Sequence, residues 1–137
     1  MPVMSNLPTD AGPRILVVED DYFVATDLEG ALREAGLQVL GPVPTAEEAL
    51  ALAKTEHPVL ALMDIRLAGS KDGIEAALEL YRELGIRCIF ASAHVEPPYR
   101  LRAAAAAPLG WVQKPYTIGT VVAAVKKALA ETQHTLA

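Results

Sequence analysis

The chain has 137 residues, the size of one domain, and its 52% hydrophobic and 21% charged residues exclude disorder over the whole length. The net charge is −5 and Lys and Arg form no basic cluster, so nucleic-acid binding is not expected. The longest apolar run, Val59–Met63, is far shorter than the roughly 20 residues of a membrane helix. Because the N-terminus also lacks a signal-peptide layout, we expect a cytoplasmic protein that does not contact membranes.

The first half of the chain predicts two strands and two helices after a flexible leader over residues 1–13. The continuous apolar run Ile15–Val18 is typical of a strand buried on both faces. Apolar residues at helical spacing follow, up to Gly36, and residues 37–40 predict a weaker strand. Gly41-Pro42 predicts a break in the chain, after which Thr45–Glu48 has the pattern of a capping box that starts the second helix.

The second half continues the same alternation. Val59–Met63 predicts the most apolar strand, and the third helix is expected to end at Gly85. The remaining signals are the apolar positions Ile74, Ala77, Leu78 and Tyr81 of the third helix, a strand at Ile86–Phe90, Pro97-Pro98 at the start of a helix, a short strand at Trp111-Val112, and Thr117 as the cap of the last helix. Five strands alternating with five helices predict one α/β domain over residues 14–131, with a parallel sheet covered on both faces and a flexible tail at 132–137.

Charged and polar side chains follow four of the five predicted strands. Glu19 and Asp20 follow the first strand, Asp64 the third, Ser92 the fourth and Lys114 the fifth. In such folds ligands bind at the carboxyl ends of the strands, so we expect these side chains to converge. Neighbouring carboxylates repel each other unless a cation lies among them, and hard oxygen ligands suit Mg²⁺. The pattern therefore predicts a magnesium and anion site with phosphoryl-transfer chemistry.

Several residues have an ordinary structural interpretation instead. Asp21 fits the N-cap of the helix after the first strand, and Cys88 fits a small buried residue within a strand. His57 and His134 have no neighbours that suggest a chemical role.

Four segments together resemble the receiver domains of response regulators. They are Ile15-Leu-Val-Val-Glu-Asp-Asp21, Leu62-Met-Asp-Ile-Arg-Leu67, Phe90-Ala-Ser-Ala93 and Val112-Gln-Lys-Pro-Tyr116, and the resemblance spans about residues 14–130. It implies a flavodoxin-like fold with strand order 2-1-3-4-5. It also implies that the domain accepts a phosphoryl group from a histidine kinase or a histidine phosphotransfer protein, and catalyses only its own phosphorylation and dephosphorylation.

The resemblance assigns roles to individual residues. Asp64 matches the phosphoacceptor, Ser92 the hydroxyl that binds a phosphoryl oxygen, and Lys114 the lysine that pairs first with the aspartate and then with the phosphate. Further roles are implied for the Mg²⁺ ligands Glu19, Asp20, Asp64 and the backbone carbonyl of Arg66, for His94, which modulates water access beside the site, and for Trp111, which stands where the family commonly has a rotating Tyr or Phe.

Output and alternatives complete the expectations. Because little sequence follows residue 131, we expect a stand-alone receiver that signals through protein contacts, with an effector or a second copy binding the face of the fourth helix, fifth strand and fifth helix. One alternative is a receiver that docks without phosphorylation. A phosphatase of the haloacid type is a second, although it needs a second Asp where Arg66 stands, and a flavin-binding domain is a third, although Glu19, Asp20 and Asp21 would repel the flavin phosphate.

Overall fold

The computed structural model describes the backbone of residues 12–136 and the side chains of residues 12–132. Five strands alternate with five helices, as the sequence predicts. In chain order they are β1 Arg14–Val18, α1 Tyr22–Glu34, β2 Gln38–Val43, α2 Ala46–Glu56, β3 Leu60–Met63, α3 Gly73–Leu84, β4 Cys88–Ser92, α4 Pro97–Ala103, β5 Gly110–Gln113 and α5 Ile118–Leu136, with a short 3-10 turn at Ala104–Ala106 after α4. Residues 1–11 of the predicted leader lie outside the described residues.

All strand pairs are parallel, and the order across the sheet is β2-β1-β3-β4-β5. This confirms the flavodoxin-like arrangement. Every residue of β3 and β4 is buried. For β3 the continuous apolar run of the sequence predicts this burial. The strand order reverses between β1 and β3, so the carboxyl ends of these two strands border a crevice in which ligands of such folds bind.

The core has two layers, one on each face of the sheet. On one face α2, α3 and α4 pack over Leu16, Met63 and Phe90. On the other face α1 and α5 pack over Val17, Leu62 and related strand residues. Burial of aliphatic side chains on both faces is the main stabilising contribution in a chain with so few aromatic residues. No helix in the described part of the chain is long and apolar enough to cross a bilayer.

Side-chain caps explain where α1, α2 and α5 begin. The Asp21 carboxylate accepts hydrogen bonds from the backbone N–H groups of Phe23 and Val24, which confirms its predicted role as the cap of α1. Thr45 accepts from the N–H of Glu48 at the start of α2. Before α5, the hydroxyl of Thr117 accepts from the N–H of Thr120.

Three local expectations differ from the structure. The predicted break at Gly41-Pro42 lies inside β2, because β2 is an edge strand and its register with β1 shifts there, which accommodates a proline. Tyr81 is 39% exposed, and Leu80 takes the buried position on α3. The helix α5 continues to Leu136, through most of the segment for which a flexible tail is expected.

Candidate functional site

The first strand delivers two carboxylates to the carboxyl edge of the sheet. The backbone N–H of Glu19 donates to the carbonyl of Val43 at 3.0 Å, so the residue remains tied to β2 after β1 has ended. Its side chain is buried, and one oxygen accepts from the N–H of Asp21 at 3.1 Å. Asp20, between them, is exposed to solvent. One carboxylate therefore faces the protein and its neighbour faces water.

The third strand delivers Asp64 beside them. Its backbone N–H donates to the carbonyl of Val18 at 3.0 Å, and its side chain is only 7% exposed. The chain then turns back so closely that the N–H of Gly73 donates to the carbonyl of Ile65 at 2.7 Å. A Cβ at position 73 would overlap the carbonyl oxygen of Asp64. The first residue of α3 therefore packs directly against the backbone of Asp64, and only glycine fits there.

Lys114 joins these carboxylates from the end of β5. Its backbone N–H donates to the carbonyl of Ser92 at 2.9 Å, and the peptide bond to Pro115 is cis. Its ammonium group donates to Glu19 at 2.8 Å and to Asp64 at 3.1 Å. Three chain segments far apart in sequence thus meet at one cation.

The charges of the site do not balance within the protein. The carboxylates of Glu19, Asp20 and Asp64 offer oxygens that all lie within 4.8 Å of one another. Burial raises the pKa of Glu19 to about 7; the negative charge of Asp64 adds to this effect, and the hydrogen bond from Lys114 opposes it. Burial lowers the pKa of Lys114, but its bonds and charges with Glu19 and Asp64 outweigh burial, so its pKa is raised. One ammonium group does not compensate these carboxylates, and the all-oxygen donor set fits Mg²⁺.

The other predicted residues lie at the end of β4 or in the segments that follow β3 and β4. Ser92 is fully buried at the end of β4, and its hydroxyl oxygen accepts from the N–H of His94 at 3.2 Å. The ring of His94 lies 5.1 Å from that of Tyr99 in α4, whereas the side chain of Arg66 is exposed. None of these side chains belongs to the cluster of Glu19, Asp20 and Asp64.

Trp111 packs away from the carboxylates, on the face of the sheet that α4 covers. Its ring stacks on the buried ring of Phe90 with a centroid distance of 4.6 Å and an interplanar angle of 24°. The guanidinium carbon of Arg100, from α4, lies 4.8 Å from the centroid of the Trp111 ring. A packed aromatic therefore occupies the position at which a rotating residue is expected.

Tyr116 and Arg100 lie beside the predicted residues Lys114 and Trp111, and the sequence assigned neither of them a role at the site. Tyr116 has a buried hydroxyl without a hydrogen-bond partner in the described residues, and burial raises its pKa to about 12. It lines a groove of about 440 Å³ together with Lys114 and the α1 residues Val24 and Asp27. Its place directly after Lys114-Pro115 was the available signal. No signal in the sequence indicated the contact between Arg100 and Trp111, because residue spacing does not report a contact between a helix and a distant strand.

Comparison with known proteins identifies this arrangement. The family model described as the response regulator receiver domain matches residues 15–126. Among curated relatives, the transcriptional regulatory protein PdtaR of Mycobacterium tuberculosis is 29% identical over 131 residues, which are 93% of this chain and 63% of PdtaR. The phyllosphere-induced regulator PhyR of Methylorubrum extorquens is 32% identical over 90% of this chain and 46% of PhyR. The chain thus spans less than two thirds of the length of either relative.

Solved structures support the same assignment. A CheY-like response regulator receiver domain from Methanospirillum hungatei superposes with a TM-score of 0.84 at 25% identity, over 91% of this chain and 99% of that one. The signal receiver domain of a modulated diguanylate cyclase from Desulfovibrio desulfuricans gives 0.82 at 31% identity, over 90% and 98% of the two chains. Receiver domains are signalling domains that bind Mg²⁺ at an acidic pocket and interact with histidine kinases or phosphotransfer proteins. Because the family model covers most of the chain and the sheet order agrees, the chain belongs to the receiver-domain family of response regulators.

Proposed function

We propose that Asp64 accepts a phosphoryl group from a histidine kinase or a histidine phosphotransfer protein in a Mg²⁺-dependent reaction. The observation that carries the proposal is the pair of hydrogen bonds from Lys114 to Glu19 and Asp64, beside the acidic cluster at the edge of the sheet. This arrangement places a carboxylate nucleophile next to a cation and beside oxygens that could hold a divalent ion.

The proposed step forms one bond and breaks another. The Asp64 carboxylate attacks the phosphorus of the phosphohistidine in line; a P–O bond forms, the P–N bond breaks, and the imidazole leaves with a proton from solvent. When bound by Glu19, Asp20, Asp64 and the Arg66 carbonyl, Mg²⁺ would offset the charge of the carboxylates and of the phosphoryl oxygens.

Lys114 has a second role after transfer. Before the reaction its ammonium group neutralises part of the charge of Asp64, to which it is bonded. Once Asp64 carries the phosphoryl group as a mixed anhydride, its carboxyl oxygens no longer share a full charge, and the ammonium group can donate to a phosphoryl oxygen instead. Ser92 would supply the next donor when its hydroxyl group moves toward the phosphoryl group, which gives the product one protein donor at the end of β4 and one after β5.

Intact-mass spectrometry with a small donor tests the proposal directly. The chain is incubated with phosphoramidate, with and without Mg²⁺, beside Asp64→Asn and the control Asp27→Asn, an exposed α1 residue outside the acidic cluster. We expect one phosphoryl adduct on the wild type and on Asp27→Asn, only when Mg²⁺ is present, and none on Asp64→Asn. Absence of the adduct on the wild type would instead favour the receiver that docks without phosphorylation.

Membership of the receiver family weighs against the other two alternatives. The side chain of Arg66, which stands where a haloacid-type phosphatase needs its second Asp, points to solvent. The loop after β1 carries Glu19, Asp20 and Asp21, which would repel a flavin phosphate. A domain over residues 14–131 and a cytoplasmic setting remain predictions beside the proposed phosphotransfer.

In this proposal the output face remains the one formed by α4, β5 and α5. Arg102 pairs with Asp72 at 2.8 Å, and Arg100 lies over Trp111, so both arginines already have partners within the described part of the chain. An effector or a second copy would have to compete with those contacts. Hydrogen exchange with beryllofluoride and Mg²⁺ should show altered protection across residues 92–116, and changes confined to the loops beside Asp64 would reject this face.

A further inference from the structure

The contacts of Arg100 join two parts of the molecule that differ in their distance from the phosphoacceptor. Its guanidinium group lies over the Trp111 ring, and its Nε donates to the carbonyl of Val95 at 2.7 Å. Val95 belongs to the loop between Ser92 and α4. One side chain therefore holds the indole of β5 and the backbone of the loop that follows β4.

That loop is connected to the site by one further hydrogen bond. The hydroxyl oxygen of Ser92 accepts from the N–H of His94, the residue before Val95. The resulting chain of contacts runs from Ser92 through His94 and Val95 to Arg100, and ends at Trp111. Together these contacts connect Ser92, at the end of β4, with the ring of Trp111 on β5.

The helix that carries Arg100 is short and largely exposed. It has seven residues, its first turn receives no side-chain cap from the described residues, and only Ala103 among its residues is buried. Helices this short are marginal without tertiary contacts. The bond from Arg100 to Val95 closes the loop onto the first turn of α4, so a movement of the loop acts on the arginine.

We propose that Arg100 is a coupling residue, which carries the state of Asp64 to β5 by releasing the Trp111 ring when the Ser92 loop moves. The inference rests on the proposed function. A phosphoryl group on Asp64 would draw the Ser92 hydroxyl toward its oxygens. The N–H of His94 then loses its acceptor, the loop shifts, and Arg100 cannot keep the Val95 carbonyl and the indole at once. The ring itself stays stacked on Phe90, so the signal is the departure of the cation and not a rotation of the ring.

Trp111 is the only tryptophan, so its emission reports the contact directly. Emission and intact mass are recorded on the same samples, before and after phosphoramidate and Mg²⁺. The variants are Arg100→Met, Arg100→Lys and the control Arg82→Met, which makes the same substitution at an exposed arginine of α3. Lysine keeps the charge, but its single nitrogen can hold the carbonyl or the indole and not both.

We expect all four proteins to be phosphorylated to the same extent, because Arg100 does not touch the carboxylates. The emission of the wild type and of Arg82→Met should shift on phosphorylation. Arg100→Met should start from the shifted emission and respond no further, and Arg100→Lys should lose most of the response.

Three results would overturn the inference while leaving the proposed function intact. The first is an unchanged emission in fully phosphorylated wild type, and the second is a full shift in phosphorylated Arg100→Met. A response lost equally in Arg82→Met would also reject it, since the effect would not be specific to Arg100. A wild type that acquires no phosphoryl group would overturn the proposed function, and this coupling with it.

Discussion

The two connections that leave the site, β3–α3 and β4–α4, are built in different ways. At the start of α3, Asp72 and Glu75 each accept a hydrogen bond at 2.9 Å from the other's backbone N–H. At its end, Gly85 takes a left-handed conformation with φ 70°. The helix begins with a reciprocal capping box and ends with the residue type that favours this turn.

The start and end of α4 lack these features. Its cap residue, Glu96, makes no side-chain capping bond to the described residues, and the 3-10 turn after it ends at Ala107 with φ 51°. Five residues of α3 are buried, against one of α4. The helix after Asp64 is thus anchored by local structure and by packing, while the helix after Ser92 depends on a few side-chain contacts. A signalling site needs this asymmetry, because a fixed nucleophile must act on an element that can move.

The largest test of this comparison is Gly73→Ala, which pushes a methyl group against the carbonyl of Asp64. We expect the free energy of unfolding to fall by about 1–3 kcal/mol, because the overlap is with backbone that cannot turn away. Phosphorylation by phosphoramidate should slow as well, since Asp64 must shift. Urea unfolding measures the first effect and intact mass the second.

The matched control is Gly30→Ala in α1, where the added methyl group meets open space. Because glycine is a poor residue within a helix, this variant should gain up to about 1 kcal/mol. If Gly73→Ala behaved like its control, the close packing of α3 on the phosphoacceptor would not be what holds Asp64.

The same asymmetry explains how much the sequence could predict. The end of α3 at Gly85 and the cap Asp21 were readable because each signal lies within a few residues of its effect. The strands β1 and β3 were readable because burial on both faces requires uninterrupted apolar runs. The passage of β2 through Gly41-Pro42 was not, because it depends on the edge position and on the register shift against β1.

The candidate site divides in the same way. The residue types at the strand ends, Asp64 and Lys114 among them, followed from the rule that parallel strands present their carboxyl ends together. The burial of Glu19, which raises its pKa, and the contact of Arg100 with Trp111 depend on the relative placement of distant segments. Residue spacing carries no information about either.

A second test concerns the pH dependence of stability that the buried carboxyl group of Glu19 causes. The pKa of Glu19 is raised from 4.5 to about 7, so the folded protein holds this proton more tightly than the unfolded chain does. Stability therefore falls as the pH rises from about 4.5 to about 7, by on the order of 1–3 kcal/mol. Urea unfolding at about pH 5 and about pH 7.5 measures the loss.

Two controls isolate that effect. Saturating Mg²⁺ should reduce the loss, because a cation favours the ionised carboxylate and brings its folded pKa down. Glu19→Gln should flatten the dependence in this range, since the raised pKa of Lys114 acts only at alkaline pH. An unchanged slope in Glu19→Gln would assign the effect to another group.

A third test removes the side-chain cap of α3 and adds one to α4. Asp72→Ala removes the capping box of α3 and the partner of Arg102, and should cost about 1–2 kcal/mol. Glu96→Ser places a capping side chain before α4, where the extended backbone with φ −65° and ψ 160° suits a cap, and should add about 0.5–1 kcal/mol. Chemical denaturation of both variants gives the two differences. If neither variant changed the free energy of unfolding, side-chain caps would not be what distinguishes the starts of the two helices.

The test with the smallest expected effect substitutes the left-handed residues that follow α4 and α3. Ala107 holds a left-handed conformation that costs an L-residue with a side chain about 1–2 kcal/mol, whereas Gly85 adopts the same region without strain. Ala107→Gly should therefore raise the free energy of unfolding by about 0.5–1 kcal/mol, after the entropy of the added glycine is subtracted, and Gly85→Ala should lower it by a similar amount. Differential scanning calorimetry of the two single variants and of the double variant measures the effects. The two effects should nearly cancel in the double variant, because the sites lie at separate helix ends.

A stabilised α4 end would also hold Arg100 more firmly. Ala107→Gly should therefore diminish the emission response of Trp111 to phosphorylation, while Gly85→Ala leaves that response unchanged. Opposite signs for the two substitutions, combined with this difference in signalling, would establish that the end of α4 is the weaker of the two and that its weakness serves the movable side of the site.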